Sequence, residues 1–439
     1  MAIAIGSASD LFAARTGGTI AIGLIAAAMF LLLLVVLREL PAVANIGPFY
    51  NLGVGSLAAS VLLITFNGVR VGAHVTVSDL LLLGTAIIFL LSLLGDRSVV
   101  PRPPGWLLFG AIGLLATGFL STWTTIDIGG DVVATVEFAM ALLGVPLLLA
   151  FATGASDRLL LFARLWLVSA TINSAVAVTD FAHVTSIGLT LSGRPSGLTV
   201  HPNHLGMVAA MAIPLALFLA ARARKWPSAA VYLGTVGILT LGVLVSGSRA
   251  ALLAAMAGAL LLPALGNRLL KPVVLIAIAA GGLLLFTSGV LTTNQPSTTS
   301  PFVAIERLAD PATASSDTGR LEYYSAALAD FARRPFTGIG FDLVRTAHDI
   351  YFQLLQAGGI LALASFLVFS AGSLRLGMKL TRDQALSRDM QNLAAALTAS
   401  LLVWLVAGLV QNLIYDRFLY LPVGLLVGLN SVARWKRRC

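Results

Sequence analysis

Four short motifs in this sequence could carry chemistry: three place arginine or histidine beside glycine, serine or proline, where a chain is expected to turn, and the fourth places histidine beside aspartate. They are GRPSGLTVHPNH at 193–204, SGSR at 246–249, GR at 319–320 and HD at 348–349. Arginine offers a permanently charged, fork-shaped set of donors that suits phosphate oxygens. Histidine can accept a proton near neutral pH and act as a general base. These residue types indicate a site that could bind phosphate groups and transfer a proton.

The first motif is an extended, glycine-containing loop that ends where a helix begins. Pro202 disfavours helical backbone at His201, and Asn203 is of a residue type that caps helices. His201 and His204 could be ligands or bases, although packing at a helix start is the commoner role for histidine. Asn203 likewise has two interpretations, a substrate contact and a helix cap.

The arginines of the next two motifs are predicted at the membrane surface. Arg249 lies between two apolar runs that leave almost no room for a loop. An ionisable residue at the membrane surface suggests a functional role. The backbone amides at the start of the helix predicted after Arg249 would also favour a bound anion. Arg320 lies in the long polar segment, where residues 319–332 are predicted to form an amphipathic surface helix that stops before Pro335. Arg194, Arg249 and Arg320 could instead be interfacial residues that extend toward water or pair with acids.

The fourth motif begins a predicted helix. His348 at that position could be a general base, with the adjacent Asp349 orienting or tuning it. The alternative is a capping or interfacial histidine.

The composition assigns these motifs to a membrane protein. Of 439 residues, 58% are hydrophobic and 11% are charged, whereas soluble domains carry about 25% charged residues. A water-soluble protein is therefore excluded, and without alternating strands a porin-like barrel is disfavoured. The net charge of +9 is spread over many loops, so nucleic acid is not an expected partner. The sequence predicts an all-α, polytopic helical membrane protein with about 12–13 transmembrane helices.

Thirteen apolar runs could cross the bilayer. They lie at 18–37, 51–66, 78–95, 105–122, 131–152, 158–178, 203–221, 229–246, 250–265, 271–290, 350–372, 391–412 and 417–433. The run at 51–66 is short and glycine-rich, so twelve is the alternative. Four regions follow: N-terminal transmembrane helices (1–180), transmembrane helices with the arginine motifs (181–290), a large outer loop with surface helices (291–349) and C-terminal transmembrane helices (350–439).

The distribution of lysine and arginine predicts the orientation. Basic residues are retained in short cytoplasmic loops, and most of them fall on one side when the C-terminal tail is placed inside. The four motifs and the long polar segment then lie outside, and the C-terminus is cytoplasmic.

We find no metal-ligand spacing, phosphate loop or nucleotide fingerprint. The sequence therefore predicts no metal and no cofactor.

Taken together with Pro335-x-x-Gly338-x-Gly340 and Gly358-Gly359, the four motifs resemble the O-antigen ligase and O-antigen polymerase superfamily over residues 190–360. The resemblance implies a GT-C-like glycosyltransferase of the bacterial cell inner membrane, with a large periplasmic loop. It implies transfer of a glycan from a polyprenyl (undecaprenyl) diphosphate carrier, with inversion and without a metal.

The resemblance also implies roles for individual residues. The functional arginines of the family correspond to Arg194 and Arg249, the functional histidine to His348, and a recurrent position to Arg320. Asp349 departs from the family, because many members have asparagine after the histidine. We therefore expect His348, Arg194 and Arg249 to be catalytic. The expected substrate-binding residues are Arg320, His201, Asn203 and Asp349.

The leading hypothesis is an O-antigen ligase that joins polymerised O-antigen to lipid A–core oligosaccharide on the periplasmic side. Its expected partners are the lipid-linked glycan donor, the lipid A–core or another glycan acceptor, and membrane lipid. A polymerase, whose acceptor is another lipid-linked repeat, is the main alternative. An O-oligosaccharyltransferase and a transporter of lipid-linked sugars are further alternatives. Transport is disfavoured because Glu137 is the one charged residue noted at depth and no internal repeat is visible.

Overall fold

The computed structural model describes residues 48–71, 75–95, 103–123, 125, 127–153, 156–191, 193–264, 314–341 and 348–437, and these are mostly α-helical, as predicted. The helices are α1 (Pro48–Leu63), α2 (Val77–Gly95), α3 (Gly105–Ser121), α4 (Ile128–Ala139), α5 (Val145–Ala152), α6 (Ser156–Phe181), α7 (Pro202–Arg222), α8 (Trp226–Val245), α9 (Arg249–Ala264), α10 (Ala314–Arg333), α11 (Ile350–Leu380), α12 (Arg388–Ala407) and α13 (Leu421–Lys436). A π-helical turn, Met140–Gly144, joins α4 to α5, and a 3-10 turn, Arg417–Tyr420, leads into α13.

Seven helical segments in the described part of the chain are long and apolar enough to cross a membrane. They are Ile128–Ala152, Arg158–Phe181, Pro202–Arg222, Trp226–Val245, Ile350–Leu380, Arg388–Ala407 and Arg417–Lys436. Shorter apolar helices cover Tyr50–Leu63, Val77–Leu93, Gly105–Ser121 and Arg249–Leu260. These eleven segments coincide with predicted runs, including the doubtful run at 51–66. The predicted runs at 18–37 and 271–290 lie outside the described residues.

Helix α7 forms the centre of the bundle. It is buried from Leu205 to Ala220 and packs against α6, α8, α9 and α12. Its 21 residues span about 30 Å at 1.5 Å per residue, which is enough to cross a bilayer. His201 precedes its first turn and Arg222 ends its last. We call these two ends of the bundle the site face and the opposite face.

Several helix ends meet at the site face around the start of α7. The backbone N–H of Ile350, at the start of α11, donates to Gly408 O after α12 (2.8 Å). His204 Nδ1, in the first turn of α7, lies 3.0 Å from Asp416 Oδ2, just before α13. These contacts gather segments that are far apart in sequence.

A short antiparallel hairpin precedes α7 on the same face. Strand β1 (Leu189–Leu191) pairs with β2 (Arg194–Gly197), and Leu191 is opposite Arg194. The sequence predicted an extended loop here but not its pairing. The hairpin fixes the backbone of Arg194 beside the bundle.

Candidate functional site

The guanidinium of Arg194 is fixed against the turn between α8 and α9. Its Nε and Nη2 donate to Ser246 O at 2.8 and 2.6 Å, and Nη2 also donates to Asn203 Oδ1 at 3.0 Å. Arg249 is half-buried and begins α9 three residues after Ser246. The structure therefore brings the Arg194 side chain and Arg249 to the same tight turn, although 55 positions separate them in sequence.

His201 caps α7, and Asn203 lies in the first turn of the helix. The His201 Nδ1 accepts a hydrogen bond from the Asn203 backbone N–H at 3.0 Å. The cap is thus His201, whereas the sequence suggested Asn203 for that role. The Asn203 side chain instead contacts Arg194 and holds its guanidinium in place.

The His201 ring lies within electrostatic range of the other candidate residues. Burial, followed by the positive charge of His204, Arg194 and His348, lowers the pKa of His201 to about 4. His201 is therefore neutral at neutral pH, with Nδ1 as the acceptor for Asn203. The centroids of the His201 and His204 rings lie 6.0 Å apart, and Arg194 and His348 are near enough for their charge to act on His201.

His348 immediately precedes the first turn of α11. His348 is half-buried and has a positive φ of 52°. Its ring meets the Tyr323 ring of α10 edge-on, with the two ring centroids 5.3 Å apart. Non-glycine residues rarely adopt this left-handed backbone, and they do so mainly where the surrounding structure holds them. The fold therefore fixes the position of His348 closely.

Asp349 is the cap of α11. Its Oδ1 accepts from the backbone N–H groups of Tyr351 (2.7 Å) and Phe352 (2.9 Å). Burial raises the pKa of this carboxyl group, although the two hydrogen bonds act in the opposite direction. Asp349 thus fixes the start of the helix that follows His348.

The glycine motifs hold the segment before His348 on α11. The N–H groups of Ile339 and Gly340 donate to the carbonyl groups of Gln356 and Ala357, both at 3.0 Å. Gly338 has a φ of 64°, and a Cβ there would lie 2.1 Å from Ala357 O. The helix itself is interrupted at Gly359, with a φ of 68°. These motifs are therefore explained by close backbone packing.

A polar cavity of about 240 Å³ opens beside His204 at the site face. Its walls include both acids and bases from four separate segments. The lining residues are Asn67, Arg70, Thr76, Glu137, Val200, His204, Gln353, Asn412, Leu413, Ile414, Tyr415, Asp416 and Arg417. No sequence motif joins these residues, because their separations follow no regular spacing. Glu137, noted only as an acid at depth, lies in this wall.

Ion pairs and amide contacts hold the cavity wall. Asn67 Nδ2 donates to Asp416 Oδ1 at 2.6 Å, and His204 lies on the other carboxylate oxygen. Burial raises the pKa of Asp416, but His204, Asn67 and Arg417 lower it, and the net effect is a lowered pKa. Arg417 Nε lies 2.7 Å from Asp79 Oδ1. Asp416 is thus a buried carboxylate that orients His204.

Arg320 is part of α10, and its side chain lies outside the described part of the structure. The helix around it ends at Arg333, before Pro335, as predicted. The helix packs on α11 through two contacts. The Tyr324 ring stacks on the Phe352 ring, with the centroids 5.1 Å apart. Asp330 Oδ2 accepts a hydrogen bond from Gln356 Nε2 at 2.9 Å. Among the described residues, no group of three or more His, Cys, Asp or Glu side chains is arranged to hold a metal ion.

Comparison with known proteins agrees with the motif pattern over part of the chain. A family model described as O-antigen ligase matches residues 234–367, from the middle of α8 to the middle of α11. The matched segment includes Arg249, Arg320 and His348, whereas Arg194 precedes it. No curated protein matches the chain. The resemblance to the O-antigen ligase and O-antigen polymerase superfamily is therefore confirmed for the segment that carries Arg249 and His348.

Proposed function

We propose that this protein is an O-antigen ligase. It transfers a glycan from undecaprenyl diphosphate to lipid A–core oligosaccharide at the periplasmic side of the bacterial inner membrane. The observation that carries the proposal is that Arg194 donates to the turn before Arg249, and that this turn and the helix start after His348 both contact the segment that follows α12, at one face of an apolar helix bundle. The family match over residues 234–367 supports the same reaction class.

Arg194 and Arg249 are assigned to the leaving diphosphate. Negative charge develops on the phosphate oxygen when the sugar–phosphate bond breaks, and donors already in place stabilise that charge without reorganisation. Arg249 begins α9, so the partial positive charge of the helix N-terminus acts at the same place. The fixed guanidinium of Arg194, together with Arg249 at the helix start, can provide the electrostatic stabilisation that a divalent cation would otherwise supply, so we propose a metal-independent transfer.

His348 is assigned to the acceptor hydroxyl. The hydroxyl oxygen attacks the anomeric carbon from the side opposite the diphosphate, so that the new C–O bond forms as the sugar–phosphate bond breaks. The hydroxyl proton passes to the His348 imidazole, and undecaprenyl diphosphate leaves as the anion. This single displacement inverts the anomeric centre. The backbone of His348, fixed by the Asp349 cap and the Tyr323 contact, suits a base that must meet one particular hydroxyl.

The remaining predicted residues are assigned to binding and positioning. The polar cavity, whose walls include Asn67, Glu137 and Gln353, offers amide and carboxylate groups to sugar hydroxyls. His201 is a neutral donor beside Arg194, and Asn203 positions Arg194. Arg320 is assigned to the anionic part of either substrate. In this arrangement the donor lipid reaches the site laterally from the bilayer.

The proposed orientation rests on the positive-inside rule. The opposite face carries Arg222, Arg388 and the basic end of α13, Arg434 and Lys436. Placing this face in the cytoplasm puts His348 and both catalytic arginines in the periplasm, where lipid A–core and the exported glycan are present together.

The test is a transfer assay with purified protein in lipid vesicles, supplied with an undecaprenyl diphosphate-linked glycan. With lipid A–core present, we expect a glycan–lipid A–core product, and without it we expect the donor to stay unchanged. The His348→Gln variant, at matched protein amounts, provides the inactive control. Elongation of the lipid-linked glycan in place of transfer would identify a polymerase and overturn the ligase assignment. Movement of the donor across the bilayer with no new glycosidic bond would overturn both.

A further inference from the structure

A second cavity lies at the opposite face, near the other end of α7. Its volume is about 400 Å³, and most of its polar lining is basic. The lining residues are Arg164, Leu219, Arg222, Ala223, Arg224, Lys225, Ser228, Tyr232 and Asp389. Arg222 Nε pairs with Asp389 Oδ2 at 2.9 Å. Four cationic side chains against one carboxylate leave the cavity with a positive charge.

The cavity lies at the level of the membrane interface. Trp226, the first residue of α8, is 75% exposed, and exposed tryptophan is enriched at the headgroup level of bilayers. Only 22% of the apolar window of α8 is buried in the protein, so the outer surface of this helix faces lipid. A cavity beside the start of α8 can therefore be reached from the bilayer.

The basic residues line the cavity at two depths. Lys225 and Arg224 are exposed and adjoin the start of α8. Arg164 is half-buried eight residues into α6, about 12 Å along the helix axis at 1.5 Å per residue. Tyr232 is half-buried six residues into α8. Placing a charged side chain at this depth is costly, and such residues commonly mark binding sites. The inner wall thus offers a guanidinium and a phenol, and the mouth offers further cations.

We propose that this cavity binds the phosphate headgroup of an anionic membrane phospholipid. The guanidinium groups of Arg164 and Arg222 match the phosphodiester oxygens, and the hydroxyl groups of Ser228 and Tyr232 match the glycerol part. The acyl chains would lie along the lipid-facing surface of α8. Basic cavities between helices at the cytoplasmic side are typical sites for such headgroups. This proposal does not depend on the glycosyl-transfer reaction, which is assigned to the other face.

Native mass spectrometry of the purified full chain tests the proposal. The protein is mixed with equal amounts of phosphatidylglycerol and phosphatidylcholine that have the same acyl chains, and the retained lipid is counted. We expect phosphatidylglycerol to be retained in preference. Removing one cation near the membrane surface should weaken binding about fivefold, so Arg164→Gln should show a loss of that size. Arg382→Gln removes an exposed arginine beyond the end of α11, outside the cavity, and should change nothing.

A second variant keeps the test valid if Arg164→Gln does not fold. Arg224 and Lys225 are exposed, so the double variant Arg224→Gln/Lys225→Gln should fold normally and still lose phosphatidylglycerol. Equal retention of both lipids would overturn the proposal, and so would unchanged retention in the double variant. Addition of inorganic phosphate or pyrophosphate separates the sources of the anion. Retention of phosphatidylglycerol in excess phosphate supports a lipid site, whereas displacement by phosphate would assign the cavity to a soluble anion.

Discussion

The two faces of the bundle use the same side chain in two different ways. At the site face, the Arg194 guanidinium donates twice to Ser246 O and once to Asn203, so its position is set before any ligand arrives. At the opposite face, Arg222 pairs with a half-exposed Asp389, and Arg224 is exposed. Donors fixed in advance suit charge that develops during a reaction. Exposed surface cations suit a diffusing anion, so arginine content by itself does not distinguish the two faces.

The largest expected effect comes from removing the proposed base. His348→Gln should lower the transfer rate about 10²–10⁴-fold, because a positioned general base contributes that much. His183 provides a matched control, since it is exposed and also has a positive φ, 56°, in the loop after α6. His183→Gln should keep nearly the wild-type rate. Equal losses in the two variants, measured at matched membrane expression, would remove His348 from the mechanism.

Exchange of arginine for lysine tests whether geometry or charge matters at the site face. Arg249→Lys should lower the transfer rate about 10²–10³-fold, because lysine keeps the charge but loses the planar fork. Arg333, at the end of α10, is 74% exposed and lies 3.5 Å from Asp330. Arg333→Lys should therefore be nearly silent. If Arg249→Lys retains most of the wild-type transfer rate, Arg249 is an interfacial residue and the diphosphate must be bound elsewhere.

Alanine at Gly338 tests the packing that holds the segment before His348. The added Cβ would meet Ala357 O in a left-handed backbone conformation, so the free energy of unfolding should fall by about 2–4 kcal/mol. Gly237, in the lipid-facing α8, has open space around its Cβ position, and Gly237→Ala should leave stability unchanged or slightly higher. Thermal unfolding in detergent compares the two variants. Equal stability would show that the 338–340 contact with α11 is not tightly packed.

The smallest expected effect concerns the cap at His201. His201→Ala should cost about 1 kcal/mol of stability because α7 loses a cap, whereas His201→Asn should cost less. The pKa of His201 is about 4 in the fold and 6.5 as the ordinary value. The unfolded chain binds the proton more readily than the folded protein does. The contribution of neutral His201 to the free energy of unfolding is therefore complete above pH 6.5 and is lost as the pH falls toward 4. Wild-type protein should therefore lose more stability than His201→Asn over that range, as measured by thermal unfolding.

The sequence predicted the helices well and the site only in part. Apolar runs about 20 residues long indicate helices by themselves, and turns such as Ser246–Arg249 follow from the gap between two runs. The contact of Arg194 with Ser246 O, and the wall formed by Asn67, His204 and Asp416, depend on helix packing between residues 52 to 349 positions apart. No local spacing encodes such contacts. The glycines at 338, 340, 358 and 359 were assigned by resemblance, and their structural reason, backbone contact between residues 335–340 and 356–360, required the fold.

The most direct test of the central claim is the initial rate of glycan transfer by purified wild-type protein in EDTA. If Arg194 and Arg249 stabilise the leaving diphosphate, the rate in EDTA should equal the rate with added Mg²⁺ or Mn²⁺. Loss of transfer in EDTA, with recovery on adding either cation, would contradict the account and assign the diphosphate to a metal.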